Sequence, residues 1–155
     1  MRDVVNLLIE KKKTIATMES CTGGFVASSI TDIDGSSNVL KFSAVTYSNE
    51  YKIKMGVSKE VIDKYSVYSM NVAREMAKNI SDFASSDIGV GITGKINRAD
   101  ENNLFGDDNK IYYAIYDKNS DKYYEYELIA INDTRLNNKK YIMERISKSL
   151  FDIYK

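Results

Sequence analysis

The chain has 155 residues, 43% hydrophobic and 28% charged, which suits one domain, 1–155, with a real core and excludes the disordered class. Basic and acidic side chains number 22 each, and no basic block carries interleaved aromatics, so a nucleic-acid partner is not supported. One cysteine excludes an intrachain disulfide, and no apolar run reaches signal-peptide or membrane-span length, so the expectation is a soluble cytoplasmic protein with no membrane partner.

Val4, Val5, Leu8 and Ile9 fall at helical spacing and predict an opening amphipathic helix, with Asp3 as its cap. A short strand follows over 14–18, then a turn at 20–22. Gly23-Gly24 leads into a helix running to about Ile30. The β-branched and aromatic run 39–47 predicts a second strand. A short helix over 49–55 comes next, and Ser58 is placed to cap another through Tyr65. The clearest helix is 70–84, where Val72, Ala73, Met76, Ala77, Ile80 and Phe83 recur on one stripe. Residues 88–93 form an apolar run of the kind found in buried parallel strands. Residues 95–109 are polar and turn-like. Two strands, 110–116 and 123–131, are joined by a polar turn and read as an antiparallel hairpin, with Tyr124, Tyr126, Leu128 and Ala130 on one face. A final helix buries Ile142, Ile146, Leu150 and Ile153.

Strands alternating with helices predict a three-layer α/β/α sandwich on a mixed, mostly parallel sheet, with one antiparallel strand from the hairpin. Sites in such sheets gather at the carboxyl ends of strands. Ser20, Tyr47 and Thr93 each follow a separate predicted parallel strand, so their convergence on one sheet edge is the expectation.

The chemistry concentrates in Thr17–Gly24 (TMESCTGG) and Thr46–Lys52 (TYSNEYK). A serine hydroxyl is a poor nucleophile until a base takes its proton. The chain has no histidine, so Lys52 is the base on offer for Ser20, with Tyr47 as relay or as support for the lysine. Backbone N–H groups at the Gly23-Gly24 helix start would stabilise an oxyanion or a phosphate. The same residues also suit a plain helix cap with close packing. Cys21 is the competing nucleophile beside the same helix start, and a small buried filler is its other reading. Glu19 fits a hydrogen-bond partner for Lys52, for a substrate hydroxyl, or for a cap. One cysteine and no histidine leave the usual zinc site without ligands. The acidic run Asp100, Glu101, Asp107 and Asp108 does not have calcium-loop spacing and reads as a solvated loop. No metal site and no cofactor are expected.

These residues resemble a known family. TIATMESCTGGFVASSITDIDGSS, then AVTYSNEYKIKMGVS, and more loosely YSVYSMNVAREMA and GVGITG, are similar to the C-terminal domain of the competence/damage-inducible protein CinA, which also occurs as a stand-alone nicotinamide-nucleotide amidase. The resemblance reaches from about Thr14 to Gly94. It implies metal-independent hydrolysis of the carboxamide of nicotinamide mononucleotide, a small nucleotide substrate. It implies Ser20, Tyr47 and Lys52 as catalytic residues, and Thr22, Gly23, Gly24, Thr93 and Gly94 around the substrate. It further implies a homo-oligomer and a loose counterpart of a family arginine at Arg135. The chain departs from the family after Thr93-Gly94, where Ile-Ala-Gly-Pro is replaced by Lys95, Ile96, Asn97 and Arg98. Lys95 and Arg98 are then the expected side-chain grip on a phosphate. Two functions follow: an amidase, or a degenerate binding or regulatory module of the same fold that turns nothing over.

Overall fold

The computed structural model describes residues 1–96 and 108–155. In chain order the elements are α1 (Arg2–Glu10), β1 (Ile15–Glu19), α2 (Phe25–Thr31), a 3-10 turn at Ser36–Asn38, β2 (Leu40–Val45), α3 (Asn49–Lys54), α4 (Lys59–Tyr65), α5 (Met70–Ala84), β3 (Ile88–Gly94), β4 (Lys110–Asp117), β5 (Lys122–Ile129) and α6 (Arg135–Tyr154).

The sheet order is β2-β1-β3-β4-β5. β1 pairs in parallel with both β2 and β3, while β4 runs antiparallel to β3 and to β5. Four strands therefore point one way and β4 alone runs against them. Helices cover both faces, which completes the three layers expected from the alternation of elements. On one face Val4, Val5 and Leu8 of α1, Val26 and Ile30 of α2, and Ile142, Ile146 and Leu150 of α6 pack on Ile15, Val90 and Tyr113. On the other, Ala16 and Met18 meet Ile62 of α4 and Val72, Met76 and Ile80 of α5.

α5 lies directly on β3 because β3 offers no side chain there. A Cβ at Gly89 would overlap the Ala77 carbonyl, and one at Gly91 would overlap the Ala73 carbonyl and crowd the Ala77 N–H. Backbone cannot yield as a flexible side chain can, so Gly89→Ala should destabilise the domain by about 3 kcal/mol or more. Urea unfolding would show it as a lowered midpoint with an unchanged slope. A loss below about 1 kcal/mol would mean the two elements separate easily.

Several local expectations hold for a physical reason. Ser58 caps α4 by accepting from the Val61 N–H at 3.3 Å, and Ser48 caps α3 from Tyr51 in the same way. Two do not hold. Asp3 lies in the first turn of α1 and makes no cap bond. Phe83 is 66% exposed rather than buried, its ring set against Phe42 of the edge strand β2 at 5.2 Å.

Candidate active site

Parallel pairing of β2 and β3 on either side of β1 brings three strand ends together. Glu19 is in register with Val45 on one side and Ile92 on the other. The Ser20 N–H donates to Ile92 O at 3.0 Å, and the Thr46 N–H donates to Glu19 O at 2.8 Å. The loops leaving β1, β2 and β3 are thus tied side by side.

Three residues separate the end of β2 from the start of α3, which carries Lys52 back over the end of β1. Lys52 is 2% exposed, and its Nζ lies 3.0 Å from Ser20 Oγ and 2.8 Å from Thr46 O. Ser20 is 6% exposed. An amine within hydrogen-bond reach of a serine hydroxyl, both buried, is the geometry that nucleophile activation requires.

Tyr47 does not stand between them. Its side chain is 65% exposed, and its hydroxyl accepts from Arg135 Nη2 at 3.3 Å. β2 is an edge strand, so a side chain leaving its end meets solvent rather than a neighbouring strand. Arg135 also donates through Nη1 to Ile96 O at 2.6 Å, which ties the start of α6 to the end of β3. α6 is held there by Thr134, whose Oγ1 accepts from the Asn137 N–H, and by buried Asn138, which both accepts from and donates to Ile131 backbone. Lys139, one turn along, places its Nζ 3.4 Å from where a Gly23 Cβ would be. Arg135 and Lys139 therefore put two cations beside the Ser20 loop.

The helix-start expectation needs correction. Glu19 is fully buried and its carboxylate takes the donors at the start of α2. It accepts from Thr22 Oγ1 at 2.6 Å and from the N–H groups of Gly24, Val26 and Ala27 at 2.8–3.1 Å. A carboxylate among helix N-terminal amides satisfies them and complements the helix dipole. Those donors are committed and do not face a ligand. The Thr22 hydroxyl is committed with them, and the Gly23 N–H donates to Ser20 O at 3.0 Å. Gly24 serves the turn itself, at φ +94°. Thr93 is buried and its Oγ1 donates to Val67 O at 2.7 Å, so it holds the loop before α5 and does not reach outward. A Cβ at Gly94 would crowd Lys110 O, which makes that glycine a packing requirement against β4. The N–H groups of Cys21 and Thr22, the two residues after Ser20, take no part in the backbone bonds of this turn, which run from Gly23 N–H to Ser20 O and from Phe25 N–H to Thr22 O.

Cys21 is buried, and burial is the main cause that pushes its thiol up to about 12. At neutral pH it is a protonated filler and not a competing nucleophile. Lys95 is buried, with Nζ 3.3 Å from the Asp108 carboxylate and 5.0 Å from the centre of the Tyr68 ring. Arg98 and Asn97, and with them Asp100, Glu101 and Asp107, lie outside the described residues.

Sequence reasoning missed Thr46, whose carbonyl anchors Lys52. Its only signal was its place at the head of TYSNEYK. Arg135 stood in the sequence as a loose counterpart alone, because 88 positions separate it from Tyr47.

A histidine-free serine–lysine pair at the carboxyl ends of the parallel strands of a mixed sheet, inside a three-layer α/β/α sandwich, defines the class. The CinA C-terminal domain family model matches residues 1–141, and the chain belongs to that family. A competence-damage inducible protein of Clostridium perfringens is 50% identical over 92 residues, which is 59% of this chain and 22% of that protein. One from Caldanaerobacter subterraneus is 46% identical over 96 residues, 61% of this chain and 23% of that protein. The chain thus spans less than a quarter of the length of these relatives. Among solved structures, the competence/damage inducible protein CihA from Agrobacterium tumefaciens superposes with a TM-score of 0.89 at 23% identity, covering 99% of this chain and 93% of that one. A CinA superfamily protein from Escherichia coli gives 0.86 at 24% identity, covering 97% and 90%. These likenesses establish the fold. Among the described residues no helix is long and apolar enough to cross a membrane.

Proposed function

We propose that the chain is an amidohydrolase that releases ammonia from the carboxamide of nicotinamide mononucleotide, with Ser20 as nucleophile and Lys52 as base. The observation that carries this reading is the 3.0 Å approach of Lys52 Nζ to Ser20 Oγ, both buried, in a chain without histidine. Neutral Lys52 takes the Ser20 proton as Oγ attacks the amide carbon, then gives it to the leaving nitrogen. The N–H groups of Cys21 and Thr22, the residues directly after the nucleophile, are the donors this reading assigns to the oxyanion. Tyr47 and Arg135 form the rim of the site, and Arg135 with Lys139 supplies positive charge for a substrate phosphate. Lys95 contributes to that end only if it leaves Asp108. Cytoplasmic residence and self-association belong to the same reading. The exposed Phe42 and Val45 on edge strand β2 are in keeping with the latter.

The direct test is ammonia release from nicotinamide mononucleotide, with the rate rising with pH as the base loses its proton. Lys52→Arg keeps the charge but cannot deprotonate, so turnover should fall by about 10²–10⁴-fold. An active Lys52→Arg variant would leave Lys52 as an electrostatic anchor and the base elsewhere. The commitment of the Thr93 hydroxyl and the α2 amides to internal bonds favours the alternative, a non-catalytic binding module. Nucleotide binding by the folded wild type without any ammonia release would select it.

A further inference from the structure

Among the described residues four threonines are buried, Thr17, Thr22, Thr46 and Thr93. Three have their hydroxyls paired: Thr17 with Ser43, Thr22 with Glu19 and Thr93 with Val67 O. The fourth, Thr46, is 2% exposed, and its Oγ1 has no hydrogen-bond partner among the described residues. An unpaired buried hydroxyl is costly, and a polar position of this kind is commonly completed by an ordered water. Thr46 is also the residue whose carbonyl accepts from Lys52 Nζ at 2.8 Å, while its own N–H is fixed on Glu19 O. A single clamped residue therefore anchors the amine through its carbonyl and carries a buried, unsatisfied hydroxyl.

We propose that Thr46 is the positioning residue for the water that completes the reaction, an inference that rests on the serine-amidase reading. In the first half, a bond forms between Ser20 Oγ and the carboxamide carbon, the C–N bond breaks, and ammonia leaves with the proton carried by Lys52. Ser20 is then an ester and no longer shares a proton with Lys52. In the second half, a water oxygen attacks the ester carbon and gives a proton to Lys52 Nζ. The bond from carbon to Ser20 Oγ breaks, the acid leaves, and Oγ recovers the proton from Lys52. The water must therefore lie beside Nζ but not in the place of Oγ. The Thr46 hydroxyl, unsatisfied and borne by the residue whose carbonyl touches Nζ, is the group assigned to hold it, accepting or donating as the water turns.

The test uses nicotinamide mononucleotide with the wild type, Thr46→Val, Thr46→Ala and Thr46→Ser, following the first turnover by quenched flow and the protein by intact mass. Thr46→Val keeps the volume, and Thr46→Ala covers the case in which valine does not fold. Either one should release a first equivalent of ammonia at close to the wild-type rate, then turn over about tenfold or more slowly, with the acyl ester on Ser20 accumulating. Thr46→Ser should restore turnover and remove the accumulated ester. The proposal is overturned if the hydroxyl-free variants cycle like the wild type, if their first turnover slows as much as the steady state, or if serine does not rescue. A wild type that neither releases ammonia nor acquires the acyl mass overturns the amidase reading itself and this proposal with it.

Discussion

Ser20→Ala should abolish ammonia release, by about 10³-fold or more, while the fold survives. The variant loses the only atom that could form the acyl bond. The neighbouring thiol cannot replace it, because Cys21 is buried with its pKa pushed up to about 12. Lys52 keeps its contact with Thr46 O, so the stability cost should stay near that of one hydrogen bond, about 1 kcal/mol. Cys21→Ala is the control, with a rate close to wild type. Both belong in the same ammonia assay, alongside thermal melts. Retained activity in Ser20→Ala removes the nucleophile assignment, and a large loss in Cys21→Ala moves it to sulfur.

Glu19→Ala should be the most destabilising single change near the site. It strips the partner from Thr22 Oγ1 and from the N–H groups of Gly24, Val26 and Ala27 at once. An orphaned buried donor costs about 1–3 kcal/mol. Even with relaxation and water entry, the loss should be on the order of 4 kcal/mol, a large share of the roughly 5–15 kcal/mol typical of a whole domain. Glu19→Gln should recover part of it, since the amide oxygen still accepts while its NH₂ faces donors. Urea midpoints of the three proteins would rank them. If Glu19→Ala unfolds within about 1 kcal/mol of wild type, the α2 start is held by packing and the carboxylate is incidental.

Glu19 also marks the limit of what the sequence conveys. In TMESCTGG it was equally a partner for Lys52, for a substrate or for a cap. Those options differ only in which side of β1 its carboxylate meets. The packing of α2 against β1 settles that, and settles with it that the helix-start amides are already used. Tyr47 is the same case. Its place after a strand was legible, but an outcome at the exposed rim rather than between Ser20 and Lys52 depended on β2 being an edge, which strand order alone decides.

Some things the sequence determined by itself. Apolar spacing in α1, α5 and α6, and the serines that cap α3 and α4, are local effects of periodicity and hydrogen bonding within a few residues. The absence of histidine left Lys52, with Tyr47, as the partner on offer for Ser20 before any contact was known, while Cys21 still stood as a competing nucleophile. Only the tertiary structure brought Lys52 to 3.0 Å from Ser20, joined Arg135 to Tyr47 and left the Thr46 hydroxyl unpaired. These are contacts between residues 32 and 88 positions apart or a gap left by such contacts, and they follow from strand pairing and helix packing, which no local pattern encodes.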